Sequence, residues 1–243
     1  MVQIISHRGG SFLWPENSLL AFQNSIELGA EVLECDVHLS LDGELVVIHD
    51  ATLDRTTAGR GPVADRTAEE LAATPVRGAG GEGVPRLREL LELVAPSEAL
   101  LQVEIKDDAQ GRAYPGALDK VLAELDSAGM RERAGIIVFE ARLAAEAEAA
   151  GGLDHVAWLF DAKALHQLGL PGVLATSQAY GVGMVETHES GMTRDVLDGL
   201  RGAGLRVGVW GANHAPAIAR MMSLGVDAIA TDDPALAMRM RGG

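Results

Sequence analysis

The sequence predicts an α/β fold, a (β/α)8 TIM barrel in which residues 1–243 form one domain. The length of 243 residues suits one barrel of this class. Short β-rich runs alternate with Ala- and Leu-rich segments of helical period, a pattern that is typical of repeated βα units around a parallel sheet. Titratable side chains lie at the carboxyl ends of several of these runs, which is where barrel active sites are assembled.

Nine runs have strand character, although a barrel of this class has room for eight. The runs are Gln3–Ser6, Val32–Asp36, Leu45–His49, Leu101–Lys106, Gly135–Phe139, His155–Phe160, Val182–Glu186, Leu205–Trp210 and Val226–Thr231. Only a short segment with Asp42-Gly43 precedes Leu45, and Asp-Gly between apolar runs indicates a hairpin, since parallel strands need a crossover of about a dozen residues. We therefore expect Leu45–His49 to run antiparallel to the second strand. A two-residue turn would place His49 opposite Asp36.

Capping residues mark the helices between these runs. Ser18 is a candidate N-cap for a helix that ends near Gly29. Thr67 and Glu70 have capping-box spacing, and Pro85 is expected to open a further helix. The glycine- and proline-rich residues 51–84 predict a short excursion over the C-terminal face of the barrel, after the second strand and its hairpin.

Composition argues against several classes of partner. The chain has 20 basic and 35 acidic residues, a formal charge of −15, so it lacks the excess of Lys and Arg that a nucleic-acid surface needs. Neither a leader-like N-terminus nor a run of about 18 apolar residues is present, and the single Cys35 allows no intramolecular disulfide. We expect a cytoplasmic protein that binds no nucleic acid and has no stable membrane association.

Three carboxylates are predicted to converge in the mouth of the barrel. Strand alternation places Glu34 and Asp36 on the inner face and turns Cys35 away, and Glu104 lies on the inner face of the next barrel strand. Such carboxylates repel one another unless a cation lies between them, and hard oxygen ligands favour Mg²⁺ or Ca²⁺. The alternative is ordinary ion pairing of these acids with Lys106 or Arg8.

Two histidines also lie at predicted strand ends. His7 and His49 suit general acid–base chemistry, because imidazole exchanges protons near neutral pH, although either one alone is also compatible with a structural role. Arg8 and Lys106 place positive charge beside them in an otherwise acidic protein. This charge favours an anionic substrate or an anion that develops in the transition state.

Short motifs that contain these residues follow one another along the first half of the chain. They are His7-Arg8-Gly9-Gly10, Pro15-Glu16-Asn17-Ser18, Ala21-Phe22, Gly29-Ala30, Glu34-Cys35-Asp36-Val37, Asp42-Gly43, Val46-Val47-Ile48-His49-Asp50, Leu53-Asp54-Arg55-Thr56-Thr57, Gly61, Val63, Pro85-Arg86-Leu87 and Glu104-Ile105-Lys106. In this order they resemble the glycerophosphodiester phosphodiesterase family. Weaker matches follow at Trp210 with Asn213, at Gly225-Val226-Asp227 and at Thr231-Asp232-Asp233-Pro234.

The resemblance implies a metal-dependent hydrolase that splits glycerophosphodiesters into sn-glycerol 3-phosphate and an alcohol. It implies that His7 and His49 are catalytic, that Glu34, Asp36 and Glu104 bind the metal, and that Arg8 and Lys106 bind the phosphate. It implies that Glu16 orients the Arg8 loop. Trp210, at the end of the seventh barrel strand, is expected to line the pocket against the substrate, or else to pack under a loop.

Two departures from the family pattern concern substrate contacts. The chain has Val138-Phe139-Glu140 where the family often has Ser-Phe, and Trp210-Gly211-Ala212-Asn213 where it often has Trp-Thr-Val-Asn. The preferred alcohol is therefore not specified by the sequence. Neither are the metal or the oligomeric state, a homo-oligomer included.

Other functions were weighed against this small-molecule phosphodiesterase. A phospholipase C-like or sphingomyelinase D-like enzyme would act at membranes, and no basic amphipathic or apolar surface segment favours it. A sugar isomerase or two-carboxylate glycosidase does not account for the paired histidines. A catalytically inactive ligand-binding barrel would usually show a broken acid–base or metal set, whereas every position is filled here.

Overall fold

The computed structural model describes residues 1–242. Eight of its strands run parallel and close into a barrel. The strands of the whole sheet are β1 (Gln3–Ser6), β2 (Val32–Leu39), β3 (Leu45–Val47), β4 (Leu100–Ile105), β5 (Ala134–Val138), β6 (His155–Phe160), β7 (Met184–His188), β8 (Arg206–Trp210) and β9 (Ala228–Thr231). All except β3 belong to the barrel, which the pairing of β1 with both β2 and β9 closes. The predicted fold class is confirmed.

Helices cover the outside of the barrel. They are α1 (Leu19–Leu28), α2 (Ala68–Ala72), α3 (Leu87–Val94), α4 (Ala117–Ser127), α5 (Ala141–Ala150), α6 (Ala162–Tyr180), α7 (Arg194–Gly202), α8 (Ala215–Leu224) and α9 (Pro234–Gly242). The Ser18 side chain caps α1, and Thr67 with Glu70 forms the predicted capping box of α2. Within residues 1–242, no helix combines the length and the apolar character needed to cross a membrane.

The third helix begins later than predicted. Pro85 lies outside α3, whose N-cap is Arg86 and whose first residue is Leu87. The Glu89 carboxylate accepts a hydrogen bond from the Arg86 backbone N–H at 2.7 Å. This bond satisfies the backbone N–H of Arg86, which has no partner within the helix. Arg86 is therefore the N-cap, and the helix starts at the next residue.

The hairpin between β2 and β3 is antiparallel as predicted, but its predicted register is wrong by one residue. Leu39 pairs with Leu45 and Val37 with Val47. Gly43, whose φ is +78°, donates its N–H to the Ser40 carbonyl, and the Ser40 N–H in turn donates to the Glu44 carbonyl. The turn thus has three residues and a left-handed glycine, which is a second common hairpin geometry.

The register error concerns His49 directly. Ile48 donates its N–H to the Asp36 carbonyl at 3.0 Å, so Ile48 and not His49 lies opposite Asp36. His49 follows the end of β3 instead of belonging to the strand.

Three apolar clusters support the site. One fills the barrel interior and includes Ile137, Leu159 and Met184. A second, larger cluster lies between the strands and the helices and contains Cys35, which points away from the site as predicted. A third cluster, with Leu53 and Leu71, packs the excursion of residues 51–84 against β3. The excursion is therefore an ordered cover with its own small core.

Candidate active site

The predicted site residues gather around a small cavity of about 90 Å³ inside the barrel. Its lining residues are His7, Arg8, Glu34, His49, Glu104, Lys106, Ile137, Phe139, Leu159, Glu186, Trp210 and Ala230. A larger open cleft of about 740 Å³ lies beside the amino ends of the strands, near Gln3 and Arg206, and contains none of the predicted site residues. Because barrel enzymes place their chemistry at the carboxyl ends of the strands, the smaller cavity is the candidate site.

A tight turn after β1 brings Arg8 into the cavity. Arg8 has a φ of +53°, and Gly9 and Gly10 follow with φ values of +77° and +88°. A Cβ atom on Gly9 would approach the Ala21 Cβ to 2.9 Å, so both the backbone angle and the close packing require glycine there. The turn also lets the Arg8 backbone N–H donate to Glu34 at 2.8 Å.

Glu34, Asp36 and Glu104 form the predicted carboxylate cluster. One oxygen from each lies within 4.8 Å of the other two, and all three residues are buried. Lys106 donates to Glu104 at 2.6 Å and lies 3.5 Å from Asp36, while the Arg8 Nε lies 3.4 Å from Asp36. The structure thus combines the two arrangements considered from the sequence, because the clustered acids also have ion-pair partners.

The electrostatics of the cluster are uneven. Burial raises the pKa of Glu34 well above its usual value, and the charges of Asp36 and Glu104 add to this effect. Burial likewise raises the pKa of Glu104 to about 7, against the opposing charge of Lys106. Burial also acts to raise the pKa of Asp36, but Lys106 and Arg8 outweigh it and hold that pKa below the usual range. Negative charge is therefore costly here unless further positive charge binds.

A carboxylate orients His7. The His7 Nδ1 lies 2.6 Å from Asp232, and Asn213 donates to the second oxygen of Asp232. Since an ionised carboxylate only accepts hydrogen bonds, Nδ1 carries a proton, and in the neutral tautomer that this selects Nε2 is the free acceptor. Nε2 lies 3.9 Å from Glu34, at the edge of the carboxylate cluster.

His49 has an equivalent partner within its own loop. Its Nδ1 lies 2.7 Å from Asp50, which also receives two hydrogen bonds from Arg55. Arg55 extends to Glu16, and Glu16 accepts a further hydrogen bond from Arg8. Burial lowers the pKa of His49, and Lys106 and Arg8 act in the same direction against the charge of Asp36. Glu16 therefore contacts Arg8, and its orienting role for the Arg8 loop stays a prediction.

Two further positioning residues, besides the aspartates that hold the histidines, were not identified as such from the sequence. Asn17, in the Pro-Glu-Asn motif, donates to Asp36 at 2.8 Å and has a left-handed φ of +56°. His38 is buried and bonds through Nε2 to the His49 carbonyl and through Nδ1 to the Tyr114 hydroxyl. Burial lowers the pKa of His38 to about 4, so its ring is neutral near pH 7. The motif pointed to Asn17, whereas only the fold brings His38 to His49.

Trp210 lines the cavity from the end of the seventh barrel strand. Of its two predicted placements, this is the one in the pocket wall and not the one under a loop. Its ring centroid lies 5.8 Å from that of Phe139 and 6.3 Å from that of His188, both in edge-to-face geometry. Trp210 is half-buried and Phe139 is 48% exposed. The two rings form an aromatic rim where the cavity opens.

A family model agrees with this geometry. Residues 7–236 match the model described as the Glycerophosphoryl diester phosphodiesterase family. The chain belongs to this family. The match runs from His7 to beyond Asp232, so it includes every site residue described above. The protein is therefore a phosphodiesterase of the hydrolase class, as the motifs predicted.

Relatives match over nearly their whole length. A glycerophosphodiester phosphodiesterase from Caldanaerobacter subterraneus subsp. tengcongensis is 33% identical, over 95% of this chain and 94% of the relative. One from Bacillus altitudinis is 32% identical, over 99% and 98%. The chain is thus similar to family members from end to end.

Solved structures share the fold. A crystal structure of an Agrobacterium tumefaciens protein assigned to the glycerophosphoryl diester phosphodiesterases has a TM-score of 0.96 and 30% identity, over 100% of this chain and 98% of that one. An Oleispira antarctica phosphodiesterase, solved with the product sn-glycerol-3-phosphate, has a TM-score of 0.85 and 22% identity, over 99% and 97%.

Proposed function

We propose that this phosphodiesterase hydrolyses glycerophosphodiesters to sn-glycerol 3-phosphate and an alcohol, with a divalent cation and two-histidine acid–base chemistry. The single observation that carries the proposal is the convergence of Glu34, Asp36 and Glu104 with two carboxylate-bound histidines at one cavity. The product bound to the Oleispira antarctica relative is consistent with it.

The carboxylate cluster suits a hard divalent cation. Glu34 Oε1 and Asp36 Oδ1 are buried and have no hydrogen-bonding partner among the described residues. Oxygen-only donors favour Mg²⁺ or Ca²⁺ over softer metals. Glu34, Asp36 and Glu104 would hold the cation, whose chemistry is to polarise a phosphate oxygen and offset the charge of the diester.

The basic side chains supply the remaining positive charge. Arg8 and Lys106 line the cavity beside the cluster, where they can donate hydrogen bonds to phosphate oxygens. Each already faces carboxylates, which hold it in place before a substrate binds. The proposed phosphate position therefore lies between these two residues and the cluster.

The two histidines divide the proton transfers. Each ring is held through Nδ1 by an aspartate and leaves Nε2 free to exchange a proton. In hydrolysis one histidine takes a proton from the nucleophile, and the other gives a proton to the oxygen of the departing alcohol.

The identity of the products tests the proposal. Purified protein is incubated with glycerophosphocholine and glycerophosphoethanolamine in Mg²⁺, Mn²⁺ or Ca²⁺. We expect glycerol 3-phosphate and the free alcohol. Release of glycerol and phosphocholine would contradict the proposal and indicate phospholipase C-like cleavage instead.

A matched pair of histidine variants controls for contaminating activity. We expect His7→Ala to lower kcat by about 10²–10⁴-fold, the usual contribution of a positioned acid or base. The exposed His166 lies on α6, outside the cavity, so His166→Ala should retain wild-type turnover. Equal losses in the two variants would exclude this site as the source of the activity.

A further inference from the structure

Glu186 is a buried carboxyl in the cavity that the proposed chemistry does not use. It lies on the inner face of β7 and is 2% exposed. No Lys, Arg or His among residues 1–242 forms an ion pair with it, and Gln102 provides its one hydrogen bond there, at 2.8 Å to Oε1. The cost of burying an unpaired carboxyl suggests that a ligand group completes its hydrogen bonding.

The neighbouring strand is shaped to accommodate this side chain. Gly208 pairs with Glu186 across β7 and β8. A Cβ atom on Gly208 would lie 2.8 Å from the Glu186 Cγ and 3.1 Å from its Oε1. The missing side chain at 208 and the hydrogen bond from Gln102 together hold the carboxyl in one orientation.

Glu186 lies across the barrel from the proposed phosphate position. Strand β7 is four strands from β2 in either direction around the closed barrel, and β2 provides Glu34 and Asp36. A phosphate bound at the cluster would have Glu186 on the opposite wall of the same cavity, where one of its two substituents can reach the carboxyl. The other substituent would then extend toward the aromatic rim of Trp210 and Phe139.

The two sides of the cavity decide which substituent is which. Glu186 is 2% exposed and lies inside the barrel, whereas Phe139 at the rim is 48% exposed. A group beside Glu186 is therefore enclosed by the barrel, and a group at the rim reaches solvent. Glycerol is common to all the proposed substrates, whereas the alcohol varies and needs the open side. A glycerol hydroxyl can donate to a carboxylate or accept from a protonated carboxyl, so it suits Glu186 in either form.

We propose that Glu186 determines specificity for the glycerol moiety by hydrogen bonding to one of its hydroxyl groups. This inference rests on the proposed function for the identity of the substrate. The shared chemistry of any ligand here is a polar or cationic group that pairs with a carboxyl, and the cationic ammonium of an alcohol such as ethanolamine or choline is the alternative source. The experiment below separates the two.

The test compares substrates that lack one hydroxyl. We would measure kcat/KM for glycerophosphocholine and for its two analogues in which one glycerol hydroxyl is replaced by hydrogen. The wild type should prefer glycerol over at least one analogue by about 10- to 100-fold, the range for a hydrogen bond to a charged group. Glu186→Met should bring this ratio close to one, and Glu186→Gln should restore part of it.

Two further variants control the test. Gly208→Ala should also lower the ratio, because its Cβ displaces the Glu186 carboxyl without removing it. Glu124→Gln alters a half-buried carboxyl on α4, outside the cavity, and should leave the ratio at the wild-type value. Circular dichroism and thermal unfolding would verify that each variant folds.

Three results would overturn the inference. They are a wild-type ratio near one, an unchanged ratio in folded Glu186→Met, and a loss confined to the preference for choline or ethanolamine over a neutral alcohol. Failure of the proposed function gives a different result, namely no glycerol 3-phosphate from any diester. In that case calorimetry with glycerol 3-phosphate and its deoxy analogues, in the presence of Mg²⁺ or Ca²⁺, would still test Glu186. The quantity compared is then the ratio of binding affinities in the wild type and in Glu186→Met.

Discussion

His7 and Asp232 are 225 residues apart in the sequence, yet the His7 Nδ1 lies 2.6 Å from an Asp232 carboxylate oxygen. The closure of the barrel through β1 and β9 brings them together, since each residue directly follows its strand. The last strand of the chain thus sets the tautomer and the orientation of the first histidine. Asp232 acts as a positioning residue for His7.

Replacement of Asp232 tests this relationship. Asp232→Asn should lower kcat by about tenfold or more, because the amide no longer requires a proton on the His7 Nδ1. The loss should not exceed that of His7→Ala, and His7→Ala/Asp232→Asn should be no slower than His7→Ala alone. Additive losses in the double variant would show that Asp232 does not act through His7.

The second histidine should titrate below the ordinary histidine pKa of about 6.5. Burial disfavours the imidazolium form of His49, so its proton is lost at lower pH. Asp50→Asn should lower the pKa further, because it removes an acceptor that stabilises the charged ring. An NMR titration of the cation-free protein, with the His49 signal assigned by its absence in His49→Asn, measures both shifts. A wild-type midpoint at or above 6.5 would contradict this prediction.

Trp210 should influence which alcohols are accepted. Trp210→Ala removes the larger ring of the aromatic rim, so we expect a higher KM and an altered order of preference among three diesters. If Trp210 mainly packs the core, the melting temperature should instead fall by several degrees with the order unchanged, as for a core truncation of about 3–5 kcal/mol. Tyr180→Ala is the matched control, since that exposed aromatic lies at the end of α6.

The strands and most of the site could be predicted because their signals are local. Strand alternation placed Glu34 and Asp36 on one face, and their spacing alone implied a shared cluster. The predicted register of the hairpin was wrong because Asp42-Gly43 is compatible with both two-residue and three-residue turns. The pairing of Ser40 with Glu44 decides between them, and it depends on backbone hydrogen bonds that the sequence does not display.

The partners of the histidines could not be predicted because they depend on tertiary contacts. Asp232 reaches His7 only through barrel closure, and His38 reaches the His49 carbonyl only because the hairpin turns back on β2. Glu186 lies in a run that is predicted as an ordinary strand. Its significance becomes apparent from the cavity on one side of it and from Gly208 on the other.

Cation-dependent turnover at the carboxylate cluster tests the account most directly. Glycerol 3-phosphate release is measured after chelation and again after addition of Mg²⁺ or Ca²⁺, in parallel with calorimetric binding of the same cation to the wild type and to Glu34→Gln. We expect chelation to abolish turnover and the cation to restore it, with weaker cation binding and a lower kcat in Glu34→Gln. Full activity in excess chelator, or wild-type cation affinity in Glu34→Gln, would contradict the proposed function of this site.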